Sequence, residues 1–280
     1  MPTIATLSHT IERVTAGGAA RVDDTIAVEE PLEIRAVIAG AEYRVTVTMR
    51  TPGADAELAV GFLMAERIVG EPREVLAVRP CLTQSNLIRV ELTEECAPRV
   101  AGVARNFVAT SSCGLCGKTS LESVFASIPE PLALNGSAVA GDALQQIPAR
   151  LRSAQSVFDR TGGLHAVAAF TFDGELVALY EDVGRHNAFD KLVGAAALAG
   201  GPDMDRCVVA LSGRAGFELV QKAAVAGVPV IAAIGAPSSL AVELAERAGI
   251  TLVGFLRASG FNIYTHAGRV AVETRSQAEV

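Results

Sequence analysis

The chain has 280 residues, 50% hydrophobic and 20% charged, with a formal net charge of −7. That balance excludes a disordered, collagen-like or coiled-coil protein, and the acidic sum argues against nonspecific binding to nucleic acid or anionic lipid, which needs positive potential. The longest nearly uncharged apolar stretch, around Val228 to Pro237, is broken by Pro229, Gly235 and Pro237 and is shorter than the roughly 18 residues of a membrane span; with neither a basic nor an apolar leader region at the N-terminus, a cytoplasmic protein is expected.

The first twenty-odd residues, with Gly17 and Gly18, read as a loose tail. Leu32 to Ile38 and Tyr43 to Met49 are β-rich runs separated by Ala39-Gly40-Ala41-Glu42, the pattern of a hairpin. Thr51-Pro52-Gly53 then leads into a helix predicted over Asp55 to Ile68, with Leu58, Phe62 and Met64-Ala65 at helical spacing. Two more strands are expected over 74–80 and 86–93. Residues 1–112 thus read as a small α+β domain, and residues 113–280 as a second domain beginning in a glycine-containing loop, Arg105 to Lys118.

Thr119 and Glu122 have the spacing of a capping box, so a helix is expected immediately after that loop, and Asp142 to Phe158 is predicted as another. A hairpin follows, Leu164 to Phe172 and Glu175 to Asp182 about the turn Asp173-Gly174. The remainder alternates helix and strand, and strands such as Val228 to Ile234 are apolar on both faces, as when helices cover a sheet on two sides. The fold class is therefore α/β, with a partly parallel, mixed sheet.

Five cysteines, an odd number in a chain long enough to bury a core, argue against a disulfide framework. Cys113-Gly114-Leu115-Cys116 stands just before a predicted helix N-terminus, where free amides, the helix dipole and Lys118 favour thiolate. Three chemistries fit: a structural zinc site, which here has one clean pair of its four ligands; a thioredoxin-type dithiol, without that motif's usual surroundings; and a thiolate that carries sulfur as a persulfide. The ending of CGLCGKTS imitates a phosphate-binding loop, but Ser112 occupies the place of its first glycine. A nucleobase deaminase is excluded because His165 is followed by Ala166-Val167 and Ser112 precedes Cys113, so neither half of that zinc motif is present. Lysine is confined to Lys118, Lys191 and Lys222 among 24 basic residues, which suggests that these positions need a compact ammonium.

Four polar corners follow predicted strands: Glu181 to Asn187, with Arg185 and His186; Ser212-Gly213-Arg214, with Lys222 a few turns on; Pro237-Ser238; and Arg257, Ser259, Gly260 and Asn262 in a loop between two strands. Strand ends of this kind are where α/β sheets place ligands. Solvated helix starts, and an ordinary Glu218/Lys222 helix pair, would explain some of these charges equally well. If the corners converge, they suit a large anion carrying a ring system, with Arg and backbone N–H on phosphate and Asn, Asp or Ser on ring edges.

CGLCG, EDVGRHNAFDK, SGRAGFELVQKAA, PVIAAIGAPSSLAVELAERAGITLVGF and NIYTH, in this order between Leu32 and His266, resemble the FdhD family of sulfur carrier proteins. The resemblance implies a cytoplasmic sulfurtransferase that accepts persulfide sulfur from a cysteine desulfurase and passes it to the molybdenum bis-pyranopterin guanine dinucleotide cofactor of formate dehydrogenase. It implies Cys113 as the persulfide carrier, Cys116 as its assistant, and a cofactor-contacting segment of Phe255, Leu256, Arg257, Ala258, Ser259 and Gly260, to which the residue pattern adds Arg185, His186, Arg214 and Lys222. It also implies a cytidine-deaminase-like second domain without the deaminase metal site. Family members often carry a basic residue at the position of Gly260, so phosphate binding at that turn is expected to rest on Arg257 and backbone N–H. A homodimer is expected from the hydrophobic second half. The alternative is a non-catalytic molybdenum-cofactor chaperone whose cysteines sense redox state.

Overall fold

The computed structural model describes residues 5–104, 130–133, 138–198 and 200–272. The Cys113/Cys116 pair, Lys118 and the helix expected from Thr119 lie outside the described residues.

The N-terminal stretch is a ribbon, not a tail. Strands β1 (Thr6–Thr15) and β2 (Gly18–Ala27) pair antiparallel in unbroken register, from Thr6 opposite Ala27 to Thr15 opposite Gly18. The glycines that suggested looseness belong to its turn, where Gly18 has φ 120°, and the β-branched Thr, Ile and Val residues suit the strands. The ribbon is mostly exposed, so no buried face imposes the alternation by which strands are recognised in a sequence.

Strands β3 (Glu30–Ile38), β4 (Ala41–Arg50), β5 (Val75–Pro80) and β6 (Leu87–Leu92) form a sheet in the order β4-β3-β6-β5, with β3 and β6 parallel. The β3–β4 hairpin turns through Ala39 and Gly40, both at positive φ, as a two-residue hairpin loop requires. Helix α1 (Asp55–Ala65) covers this sheet with Leu58, Ala59 and Leu63 against Leu32, Ile34, Ile88 and Val90. Helix α2 (Ala97–Ala104) closes the described part of this half.

The short strand β7 (Val139–Ala140) precedes α3 (Gly141–Ala154) and α4 (Ser156–Thr161). The single helix expected over Asp142 to Phe158 is broken at Gln155. The Glu181 carboxylate accepts hydrogen bonds from the amides of Val157 and Phe158 at 2.9 and 2.8 Å, capping a new helix start that the local sequence does not specify.

A six-stranded sheet of β8 (His165–Thr171), β9 (Leu176–Asp182), β10 (Cys207–Leu211), β11 (Val230–Ala233), β12 (Thr251–Arg257) and β13 (Gly260–Ile263) runs in the order β13-β12-β11-β10-β8-β9. β10, β11 and β12 are parallel; β8 and β13 run antiparallel to them, and β9, antiparallel to β8, runs in the same direction as β10. This is the mixed α/β fold expected from the alternation of patterns. Helices α5 (Arg185–Ala197), α6 (Phe217–Val225) and α7 (Ser239–Ala248) pack on one face around Phe189, Leu192, Leu219 and Leu244. Leu144, Ile147 and Leu151 of α3 cover Ala168, Phe170 and Val208 on the other. Strand β14 (Val270–Ala271) pairs with β7.

The two halves meet helix on helix. A Cβ placed on Gly61 of α1 would collide with the carbonyl oxygen of Asp190, and one on Gly194 of α5 would collide with that of Glu57. Two glycines therefore let the α1 and α5 backbones touch, and α1 is enclosed between the small sheet and α5, which explains why it is apolar on most of its circumference. Gly194→Ala drives a methyl into rigid backbone. It is expected to destabilise the protein by about 3 kcal/mol, the upper end of ordinary overpacking, read as a lower midpoint in denaturant unfolding.

Candidate functional site

The topology brings the polar corners to one edge of the sheet. The C-terminal ends of β9, β10, β11 and β12 and the start of β8 all lie there, as the registers His165 opposite Asp182 and Leu211 opposite Val167 require. Backbone hydrogen bonds tie the corners to one another: Gly235 N donates to Gly213 O at 2.9 Å, Phe255 N to Gly235 O at 3.1 Å, and Ser238 N to Ala215 O at 3.0 Å. Ser212 Oγ accepts from Ala166 N at 2.9 Å, joining the second corner to the start of β8. A Cβ on Gly235 would lie 3.0 Å from Arg214, so the absence of a side chain lets the corners nest.

The run Glu181 to Lys191 divides into two sets of residues. Asp182, fully buried, and Lys191 form an ion pair at 2.7 Å. The ammonium also donates to Thr51 O at 2.9 Å and Glu181 O at 3.2 Å, using three tetrahedral donors where a planar guanidinium would not fit. Asp182 accepts in addition from Thr51 N, Gly184 N and Asn187 Nδ2, and Asn187 donates to Met49 O at 2.7 Å. These residues clasp the small sheet to the large one and are not available to a ligand.

Lys222 is also turned inward. It pairs with buried Asp190 at 2.6 Å beside the Phe62 ring; burial pushes the Asp190 carboxyl up from its ordinary range and the Lys222 ammonium opposes that. Of the residues expected to meet a cofactor, Lys222 and the Leu256 side chain, which belongs to the core, do not reach the crevice surface. Arg185, His186, Arg214 and the β12–β13 turn are at that edge. His186 Nε2 stands 2.7 Å from a Glu218 carboxylate oxygen. Arg185 Nε is sealed from solvent with no hydrogen-bond partner.

The loop expected around Arg257 and Asn262 is instead a tight hairpin with Ala258 and Ser259 between the strands, and Asn262 lies within β13. A bulge in β12 holds Phe255 at φ 53°, a left-handed conformation costly for an aromatic residue, with its side chain 46% exposed. Arg257 folds back to donate to Ile234 O at 2.6 Å and Leu256 O at 2.7 Å. Ser238 caps α7, accepting from Ala241 N at 3.3 Å.

His165 is a crevice residue that the sequence pattern did not nominate, since a lone histidine opening an apolar strand has no motif around it. Burial, then the charges of Arg185 and His186, lower its basicity. Two hollows are present: one of about 1240 Å³ beside β13, reaching Gly260, and one of about 440 Å³ between Thr51–Ala54 and β9, reaching Glu181. Among the described cysteines, Cys96 and Cys207 are buried, the latter pushed up to about 11 by burial. Cys81, more accessible, is lowered to about 6 by hydrogen bonds from Thr83 and Arg89.

A mixed sheet with helices on both faces, whose strand ends gather arginine, histidine and backbone amides at one edge, defines an α/β protein. The chain belongs to the FdhD/NarQ family, whose model matches residues 27–271. It is 47% identical to the sulfur carrier protein FdhD of Nocardia farcinica, over 95% of each chain. Identity is 49% to that of Mycolicibacterium paratuberculosis, over 93% of this chain and 97% of the relative, and 42% to that of Sulfolobus acidocaldarius, over 93% and 96%. A crystal structure from Desulfotalea psychrophila, described as a candidate formate dehydrogenase accessory protein, shares the fold with a TM-score of 0.75 and 22% identity, over 96% of this chain and 100% of that one.

Lys191→Met leaves Asp182 charged and buried without its cation. A loss of about 3–5 kcal/mol is expected, measured by denaturant unfolding, whereas Lys222→Met, at a partly accessible pair, costs less. His165 gives a pH signature. Its folded-state basicity is lowered, so its contribution to stability is present above the imidazole's ordinary value of 6.5 and is lost as pH falls through the lower folded value. The thermal midpoint of His165→Gln should therefore fall less than that of the wild type between neutral and acidic pH.

Proposed function

We propose that this protein is a cytoplasmic sulfur carrier that takes sulfane sulfur from a cysteine desulfurase as a persulfide on Cys113 and delivers it to the molybdenum bis-pyranopterin guanine dinucleotide destined for formate dehydrogenase. The family membership supports the sulfur-carrying role, and the observation that supports an anionic cargo most directly is the sealed, partnerless Arg185 Nε at the crevice edge. An orphaned buried donor of this kind is rare, and a bound acceptor is a common explanation.

The cargo is read as substrate. Arg185, His186, Arg214, Arg257 and the amides of the corners would hold its phosphates, and the exposed Phe255 at the bulge would lie against a ring. Phe255 to Gly260 would contribute through this turn, Leu256 by backbone alone. On Cys113, the thiolate attacks the terminal sulfur of the donor persulfide; the donor leaves as thiolate and Cys113 becomes the persulfide. Attack by Cys116 on the inner sulfur of that persulfide would expel hydrosulfide and leave a Cys113–Cys116 disulfide. A homodimer remains part of this reading.

Intact-protein mass spectrometry after incubation with a cysteine desulfurase and cysteine tests it. The expected result is an adduct of about 32 Da, one sulfur atom, absent in Cys113→Ala. Cys81→Ala is the necessary control, because Cys81 has the lowered thiol of the described set. Loss of the adduct in Cys81→Ala and its retention in Cys113→Ala would move the carrier site. No adduct on the wild type with an active donor would favour a cofactor chaperone.

A further inference from the structure

We propose that the β1–β2 ribbon is a dimerisation arm: the face that carries Leu7, Ile11, Val22 and Ile26 packs on the same face of a second copy of this chain, across a two-fold axis through the Ile11/Val22 row. The inference deepens the homodimer of the reading above, on which it rests for the identity of the partner, and it does not depend on sulfur transfer.

The ribbon stands largely free of the body. Each strand has ten residues, about 33 Å at roughly 3.3 Å per residue. It forms a sheet of its own, and neither strand has a second neighbour among the described residues. Its base is anchored: β2 packs on α4, Ala27 lies against Gly163, and Val28 N donates to Ala5 O at 2.9 Å. Toward the tip, residues 12–21 are all exposed. Two strands alone in water are at best marginally stable, and long unpaired edges are normally shortened, bent or covered. Here the register nonetheless runs unbroken through the whole ribbon, which a covering surface explains.

The two faces differ. Directly opposed residues share a face, so one face carries the rows Leu7/Ile26, His9/Asp24, Ile11/Val22 and Arg13/Ala20. Leu7 is 55% and Ile26 40% exposed on it. The other face has Thr10/Asp23 and Glu12/Arg21 at its centre, with Thr10 Oγ1 donating to Asp23 at 2.8 Å, and one large apolar side chain, Val14, near the turn. On the first face Arg13 lies toward Asp24 at 3.6 Å, with both side chains about half exposed. A pair so loose and solvated contributes little within one chain and is free to exchange partners.

That face is complementary to itself. A two-fold axis through the Ile11/Val22 row reverses the order of the rows, as an isologous contact requires. Ile11 and Val22 then meet their own copies, and Arg13 of each chain comes over the His9/Asp24 row of the other. The Leu7/Ile26 row meets the Thr15/Gly18 row beside the other turn, where Gly18 has no side chain to obstruct it. Side chains of two aligned sheets interdigitate in this way. Axes through the neighbouring rows would set Arg13 against its own copy, or Asp24 against its own, so charge selects this register.

Sedimentation velocity of the full chain at low salt, where exposed pairs are least screened, tests the arm. The wild type is expected to approach twice its 29.0 kDa as concentration rises. Arg13→Glu sets carboxylates against each other across the axis and Asp24→Arg sets guanidinium groups against each other, and each is expected to weaken self-association at least about tenfold. Mixing the two variants is expected to restore dimers. In the mixed pair the new carboxylate meets the new guanidinium and the unaltered Arg13 meets the unaltered Asp24, whereas the contact inside each chain stays like-charged, so recovery reports pairing between chains. Ser8→Arg, on the other face, is expected to dimerise as the wild type does. Single variants that keep the dimer place it on another surface and overturn the arm while leaving the homodimer. A mixture that stays monomeric, or dissociation by Ser8→Arg as complete as by Arg13→Glu, also overturns it. A wild type that is monomeric at every concentration removes arm and homodimer together, and none of these outcomes bears on the persulfide experiment.

Discussion

The buried ion pair of Lys191 with Asp182 is the constraint on which the rest of the arrangement depends. An ammonium and a carboxylate removed from water are tolerated only when every donor and acceptor is matched, and here the matching groups come from both halves of the chain. Thr51 gives its carbonyl to Lys191, its amide to Asp182 and its hydroxyl to Val183 N. Separating the halves would leave two charges in an apolar interior, so the pair fixes how the small sheet sits on the large one.

That fixing has a consequence at the crevice. The same residues hold the start of α5: Gly184 N is bound by Asp182, and Asn187 is held between Asp182 and Met49. The first residues of α5, Arg185 and His186, are then presented at the strand ends, while the glycine contact between α1 and α5 sets how closely the two helices approach. Rigid support of this kind holds an unsatisfied donor such as Arg185 Nε in place without collapse.

Much of the architecture was legible in the sequence because it is written in local pattern. The hairpin about Ala39-Gly40, the paired strands around Asp173-Gly174 and the alternating helices and strands beyond them follow from turn residues and from the period of apolar side chains. The N-terminal ribbon escaped because its strands bury little and so carry little alternation. The break at Gln155 escaped because its cap, Glu181, comes from a different strand. At the site, the strand-end corners were readable as a set, but His165 was not, since nothing in its neighbours distinguishes it from a histidine opening any apolar strand.

The sequence by itself determined the α/β class, the order of the strands of the large sheet, the family and the small set of positions where polar residues interrupt apolar strands. Only the tertiary structure decided which of those residues stay at the strand-end edge and which are drawn inside. In the run from Glu181 to Lys191, seven polar side chains look alike in one dimension, yet Glu181 caps α4, Asp182, Asn187 and Lys191 clasp the two halves, Asp190 meets Lys222, and Arg185 and His186 remain at the strand-end edge. Periodicity and turn chemistry act over a few residues, whereas the partners that select among these roles lie from 23 to 140 residues away in the chain, Thr51 the farthest, and are brought near only by folding.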